Sequence, residues 1–549
     1  MSLRELDFDA CYRAVAARDA RFDGRFYTAV TSTGIYCRPI CPARTPALRN
    51  VRFYRHAASA EAAGFRPCKR CRPELSPGDP GWDQRGDVIG RALRLIDEGV
   101  ADDTGVAGLA RRLHITERHL HRLFAAELGT GPLAVARTRR LLLAKQLLTD
   151  TDLSITDVAF AAGFGSVRQF NATMKETYGF TPGELRATAG RAVAGDRARG
   201  GGNGAGTDRA GAGGGPPGAA LTLRLHRREP YDAGAMMRFL RARAIPGLER
   251  VDGPAPGPAG RQEPWPGREG REEPRPGPQD REEYGWSYTR AVPGGLVTLT
   301  PLPGHVRLDV RLGDTGRLAR VVARCRRLLD LDADPVAISS ALGETALGPL
   351  AAARPGLRVP GAWDGFELAV RAVVGQQISV SGARTILGRI VARAGRPALS
   401  AAEDALHAEG TSAGEGTSAG EGVPPAEGEV TRLFPTAGQL LAADLDGLGL
   451  TGRRIATLRA LAERVAGGEI DLDGAHEPGE TVSALLRVPG IGPWTAGYIA
   501  LRALRDPDAW PEGDLGLRRA MACLGIPDEH IERWRPWRAY AALHLWSSE

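Results

Sequence analysis

Four of the chain's seven cysteines fall in one short stretch, as Cys37-Arg-Pro-Ile-Cys41 and Cys68-Lys-Arg-Cys71, with 26 residues between the pairs. Two close pairs separated by a loop have the spacing of a tetrahedral thiolate zinc site. Disulfides and unpaired thiols are the competing readings. The start, Met-Ser-Leu-Arg-Glu-Leu-Asp, lacks the hydrophobic core of a secretory signal and the other cysteines are scattered, so a reducing cytoplasm and a metal are expected. Four thiolates on one Zn²⁺ leave a net charge of about −2. Arg38, Arg44, Arg49, Arg52, Arg66, Lys69, Arg70 and Arg72 crowd the site, and can offset that charge and hold nucleic-acid phosphates. A zinc-bound thiolate stays deprotonated and nucleophilic, so the site can be structural and reactive at once.

A second concentration of chemistry lies near the C-terminus. Val488-Pro-Gly-Ile-Gly-Pro-Trp-Thr-Ala-Gly-Tyr498 places Gly490 and Gly492 immediately before a helix. Glycines there allow close backbone approach, and the N–H groups of the following helix can hold a DNA phosphate, which is a helix-hairpin-helix signal. A plain helix-capping turn is the bland alternative. Downstream, Trp-Pro-Glu-Gly-Asp514 supplies a carboxylate that is either reactive or simply the N-cap of Leu515–Met521. The chain closes on the Trp- and Arg-rich ERWRPWRAYAALHLW.

Positioning these groups takes several domains. At 549 residues the chain should hold about three to four, at roughly 100–200 residues each. Net charge is +7 and pI about 9.2, which suits an anionic partner. No apolar run reaches the ~18 residues of a membrane span. Residues 1–78 are expected to form the zinc domain. Residues 84–187 read as helices with an internal repeat at an offset of 50. Leu120, Phe124 and Leu128 in the first copy match Phe170, Met174 and Tyr178 in the second, and helices are expected from about Thr116 and Ser166. Two short helices joined by a tight turn suggest a helix-turn-helix; an ordinary helical bundle is the alternative. Outward Arg118, His119, His121 and Arg122, then Arg168, Gln169, Asn171 and Lys175, can reach phosphates and base edges. A Gly/Ala/Arg linker is expected at 188–218. A β-rich domain is expected at 219–330, from the alternation in ALTLRLHRR and HVRLDVRL, with a Pro/Gly tract inserted at 253–283. RLARVVARCRRLLDL reads as an amphipathic helix with Cys325 as a packed thiol. From 331 to 549 the chain reads as helical, with a low-complexity insertion at 400–430.

Three resemblances follow from these motifs. DGRFYTAVTSTGIYCRPICPAR and AAGFRPCKRCRP resemble the N-terminal domain of the Ada adaptive-response family. That resemblance implies that Cys37 accepts a methyl group from a DNA methylphosphotriester, with Cys41, Cys68 and Cys71 holding zinc beside it and Arg44 on the DNA side. ERHLHRLFAAELGTGP and DVAFAAGFGSVRQFNATMKETYGFTP resemble the AraC/XylS transcription-factor domain, implying two recognition helices in adjacent major grooves of a promoter. AARPGLRVPGAWDGFELAVRAVVGQQISV, LGLTGRRIATLRALA and the hairpin resemble the alkylpurine DNA glycosylases of the AlkA type over about 219–549.

That last resemblance implies that Asp514 is catalytic and that Trp494, Tyr498 and Trp546 line the base pocket. It also places Gln376 and Gln377 at the DNA, with Gln377 where the family carries a leucine wedge. Bottom-up chemistry agrees, since an alkylated purine is cationic and leaves neutral, so only charge stabilisation and a guided water are needed. Trp494 stands where strand-cutting glycosylases carry a lysine, so no β-lyase activity is expected. With Cys523 alone near the C-terminus, no iron–sulfur cluster is expected. No Pro-Cys-His-Arg motif occurs, so no repair of O6-methylguanine is expected.

The expected fold class is multidomain α+β: a small four-cysteine zinc domain, an all-α double helix-turn-helix, a β-rich AlkA-type N-terminal domain and an all-α helix-hairpin-helix domain. The expected protein is a monomeric, cytoplasmic, nucleoid-associated sensor, activator and glycosylase with one Zn²⁺, binding double-stranded DNA and RNA polymerase. The competing expectation is a regulator whose C-terminal half binds damage without catalysis. A second rival has the zinc domain as a purely structural clamp.

Overall fold

The computed structural model describes residues 7–78, 88–188, 220–254, 285–398 and 429–548. The linker expected at 188–218 and the insertions expected at 253–283 and 400–430 lie almost wholly outside the described residues. The chain divides into two compact units, one running to His226 with Arg311–Arg324, the other made of Arg227–Val310 and Cys325 onward.

In the first unit, α1 (Phe8–Ala17) starts on an Asp7 cap, and a four-stranded sheet follows in the order β3-β1-β2-β4. β1 (Tyr27–Val30) and β2 (Ile35–Cys37) form an antiparallel hairpin whose turn uses Gly34 at φ +64°. β3 (Val51–Tyr54) flanks β1. β4 (Arg66–Pro67) runs parallel to β2, pairing Tyr36 with Pro67. This register is what joins the two cysteine pairs, because Cys37 and Cys68 are the next residues on neighbouring parallel strands. α2 (Ala57–Ala62) covers the sheet, burying Ala57 and Ala60 with Tyr27, Tyr36 and Phe65.

Helices α3 (Val88–Asp97), α4 (Val100–Arg112, kinked at Gly105), α5 (Glu117–Leu128), α6 (Pro132–Asp150), α7 (Ile155–Ala161) and α8 (Val167–Tyr178) follow in this unit, which also holds β5 (Ala220–His226). The repeat is realised cap by cap. Thr116 and Ser166 accept from His119 N and Gln169 N, Gly129 and Gly179 end the helices at φ +68° and +75°, and the buried triplets are Leu120/Phe124/Leu128 and Phe170/Met174/Tyr178.

In the second unit the strands β6 (Glu249–Asp252), β7 (Ser287–Val292), β8 (Gly295–Leu302) and β9 (His305–Leu312) lie in the order β9-β8-β7-β6, with β6–β7 and β7–β8 antiparallel. β5 (Ala220–His226) and β9 are the two strands read from alternation. Cys325 is fully buried in α9 (Leu318–Leu328). Buried Arg290 on β7 donates to Glu249 and to Glu367 of α10 (Gly365–Val374), fastening the sheet to the helices.

Two apolar cores organise those helices. One gathers α10, the helix Val380–Ala394, α11 (Gly452–Ala466) and α12 (Pro478–Leu486). The other gathers 335–353 with α14 (Leu515–Cys523) and α15 (Arg538–Trp546). Between these, α13 (Pro493–Arg502) gives Ala496 and Ile499 to the first core and Ala500 and Leu501 to the second, so the hairpin helix is the shared wall. The observed architecture is the mixed α+β class expected, and no described helix is long and apolar enough to cross a membrane.

Candidate functional site

The sulfurs of Cys37, Cys41, Cys68 and Cys71 all lie within 4.8 Å of one another. Zinc–thiolate bonds of about 2.3 Å place tetrahedral sulfurs about 3.8 Å apart, so this donor set fits Zn²⁺. The four differ in their backbone partners. Cys71 Sγ accepts from Arg38 N at 3.3 Å and Cys68 Sγ from Arg70 N at 3.4 Å. Cys41 accepts from the Ala43 backbone. No backbone donor reaches Cys37 among the described contacts. Cys68 and Cys71 are buried, while Cys37 and Cys41 are half-buried. Sulfurs this close cannot all ionise without a cation: hydrogen bonding to Cys41, then to the other two, pushes the Cys37 thiol up, while Cys37 holds Cys41 down at about 7.

The basic collar is thinner than the sequence suggests. Arg38 is buried against Asp23 and donates to Cys71 O, and Arg72 is paired with Glu74 and Asp150. Arg44, Arg49, Arg52, Arg66, Lys69 and Arg70 are the exposed members. On the repeat, Arg118, Arg122, Arg168 and Gln169 are all exposed on α5 and α8, with Arg122 bonded to His119.

Asp514 is indeed the N-cap of α14, its Oδ1 accepting from Leu517 N at 2.9 Å. It is more than that. Trp546 Nε1 donates to the same oxygen at 3.0 Å, and Trp494 Nε1 donates to Oδ2 at 2.6 Å. Two indoles therefore point at one carboxylate. Trp494 is stacked on Tyr498 at 5.4 Å and 10°, and Trp546 meets Tyr498 edge-on at 6.4 Å. All three rings and Asp514 are half-buried, with Tyr498 packed against the first core and Trp546 against the second. Tyr498 accepts from Arg502, itself anchored on the carbonyls of Pro360 and Gly361. Burial would raise the Tyr498 phenol, but Arg502 and Arg243 outweigh it and hold it below its usual range.

The two glutamines separate. Gln376 is tied to the hairpin, donating to Gly490 O and Thr495 Oγ1 at 3.0 Å, and its own carbonyl accepts from Arg454. Gln377 is exposed with φ +56°, a costly backbone for a side chain of this kind. Gly490 has φ +90°, and a Cβ there would lie 2.1 Å from Thr457 Oγ1, so only glycine fits the hairpin. Gly492 is the N-cap of α13 in extended backbone.

Residues 10–74 match the metal binding domain of Ada, 109–188 a helix-turn-helix domain and 222–364 the AlkA N-terminal domain. The probable bifunctional transcriptional activator/DNA repair enzyme AlkA of Mycobacterium tuberculosis is 42% identical over 552 residues, which cover 99% of this chain and 96% of that protein. The chain belongs to this bifunctional activator/repair family. Its halves have separate relatives as well. DNA-3-methyladenine glycosylase 2 of Escherichia coli is 29% identical over 59% of this chain and 96% of its own length. The bifunctional transcriptional activator/DNA repair enzyme Ada of the same organism is 38% identical over 32% of this chain and 49% of its own length.

Within this family member, the four cysteines are the zinc site. Sequence reasoning did not find Arg243 and Arg502 behind Tyr498, nor the indole donors on Asp514. Arg502 stands four residues after Tyr498 on one helix face, a spacing that could have flagged it. Nothing in the spacing of 494, 514 and 546 could have shown two indoles meeting one carboxylate.

Proposed function

We propose that this DNA-alkylation response protein carries two chemistries: methyl transfer to Cys37 and excision of alkylated purines at Asp514. Zinc, when bound, supplies a field that keeps the cysteine sulfurs deprotonated at neutral pH. Cys37 Sγ donates an electron pair to the methyl carbon of a phosphotriester. The carbon–oxygen bond breaks and the phosphodiester leaves as an anion. Support comes from the sulfur environments: an N–H donor lowers a thiolate's basicity, and Cys37, half-buried, is the sulfur without one among the described contacts. Transfer removes one negative charge beside exposed Arg44, Lys69 and Arg70, so affinity for promoter DNA rises and the two helix-turn-helix heads act on transcription. RNA polymerase is the partner this activation requires.

In the second half, the bond between the sugar and a cationic purine breaks with its electron pair leaving on the base. The oxocarbenium-like sugar is stabilised by Asp514, and water adds to it, losing a proton to solvent. The observation that carries this reading is the pair of indole N–H donors on one carboxylate. Together with Leu517 N they fill three of about four lone-pair sites of the carboxylate and fix its place as a charge stabiliser, with one site on Oδ2 left for water. The rings of Trp494, Tyr498 and Trp546 favour a flipped cationic base. In this reading exposed Gln377 enters the stack, and Gly490 and Gly492 bring the hairpin backbone to a phosphate. The protein acts as a monomer at the nucleoid, without β-lyase or O6-methylguanine activity.

The test is release of free base from methylated duplex DNA by the wild type beside Asp514→Asn. Release of 3-methyladenine by the wild type alone supports the glycosylase and its carboxylate together. No release by either folded protein would leave a damage-binding module. In parallel, mass spectrometry after exposure to the same DNA should find one methyl on Cys37, and none would make the zinc domain a structural clamp.

A further inference from the structure

The repeat places Leu128 and Tyr178 at equivalent positions, the last residues of α5 and α8. One element outside the repeat touches both. Ser59 Oγ on α2 donates to Leu128 O at 2.6 Å, and Glu61 Oε1, further along the same helix, accepts from Tyr178 Oη at 3.3 Å. Glu61 also accepts from Thr138 of α6 at 2.6 Å and from Tyr36 at 2.9 Å. Tyr36 immediately precedes Cys37 on β2. All of these side chains are buried. Close by, buried Lys145 of α6 donates to Cys68 O at 3.1 Å and to Glu74 at 2.7 Å. Without α2, α6 is the principal rod between the two heads.

We propose that Ser59 and Glu61 are positioning residues for DNA reading: the zinc domain's α2 braces the ends of both recognition helices and so fixes the separation of the two half-sites the chain selects. The physical reason is that a buried carboxylate with three hydroxyl donors has few alternative arrangements, whereas a single helical rod permits bending and twisting between the heads. With the heads held at one separation, the second contact is made at high effective concentration only on DNA of matching spacing. The inference rests on the reading of α5 and α8 as the two DNA-reading helices.

The experiment uses the zinc-loaded full chain and a library of random-sequence duplexes. Wild type is expected to retrieve two half-sites at one spacing. Ser59→Ala/Glu61→Ala should retrieve the same half-sites over a spread of spacings. On the wild-type sequence its affinity should fall about tenfold, while affinity for a single half-site stays unchanged. Tyr178→Phe removes one hydroxyl without altering the core volume and should give part of the same shift, which covers the case in which the double variant fails to fold. An unchanged single spacing and affinity in a folded variant would overturn the proposal. Retrieval of only one half-site by the wild type would instead overturn the two-head reading beneath it.

Discussion

At the zinc centre the sulfur proposed to react has the fewest partners: among the described contacts three cysteines accept a backbone N–H and Cys37 accepts none. At the second centre the proposed reactive group has the most, since Asp514 accepts three donors. A nucleophile spends a lone pair on its target, and every hydrogen bond on that lone pair weakens it. A charge stabiliser keeps its electrons and works through its field, so donors that fix its place help it. The two centres also differ in how far their parts are drawn together. Residues 37–71 and one strand register build the first, whereas 494, 514 and 546 come from three different helices.

The largest test of this contrast is Asp514→Asn. The amide can still cap α14 through Leu517 N, so the fold should persist while single-turnover release of 3-methyladenine falls about a thousandfold. Methyl gain on Cys37 should be untouched, and a loss below tenfold would mean that the field of Asp514 is not the main stabiliser.

Gly490→Ala attacks the second half through its backbone. A left-handed alanine whose Cβ meets Thr457 should destabilise that unit by about 3 kcal/mol in thermal unfolding. Tryptophan fluorescence follows this half nearly alone, since Trp82 is the only one of nine tryptophans before Arg227. Thr457→Ala in the same chain removes Oγ1 and should relieve part of the clash.

Acid offers a comparable lever. Burial, aided by Arg354, lowers buried His544 from 6.5 to about 4. Because the folded value is the lower one, stability from the neutral ring is fully present above pH 6.5 and is lost as pH falls towards 4, by up to about 3 kcal/mol. His544→Leu should flatten that part of the pH profile; an unchanged slope would assign the acid sensitivity elsewhere.

The smallest effect expected is that of Trp546→Phe. It keeps an aromatic face but removes one donor to Asp514, so excision should slow about tenfold with substrate affinity little changed. If affinity fell and the chemical step did not, Trp546 would be a stacking surface only.

The sequence by itself determined what depends on local order. The two cysteine pairs, the 50-residue repeat with its Thr116 and Ser166 caps, and the glycine hairpin at 490–492 are short-range patterns, because capping, helical periodicity and metal spacing act within a few residues. The strands β6, β7 and β8 were not legible, since the pattern carried no separate signal for each of them. Arg38 and Arg72 read as members of the collar that can hold phosphates, yet Asp23 pairs Arg38, and Glu74 and Asp150 pair Arg72. Only the tertiary structure decided that Asp514 is at once a helix cap and the target of two indoles, and that α2 touches the ends of both α5 and α8. Those facts depend on which helices pack together, a property of the whole buried surface rather than of any one stretch of chain.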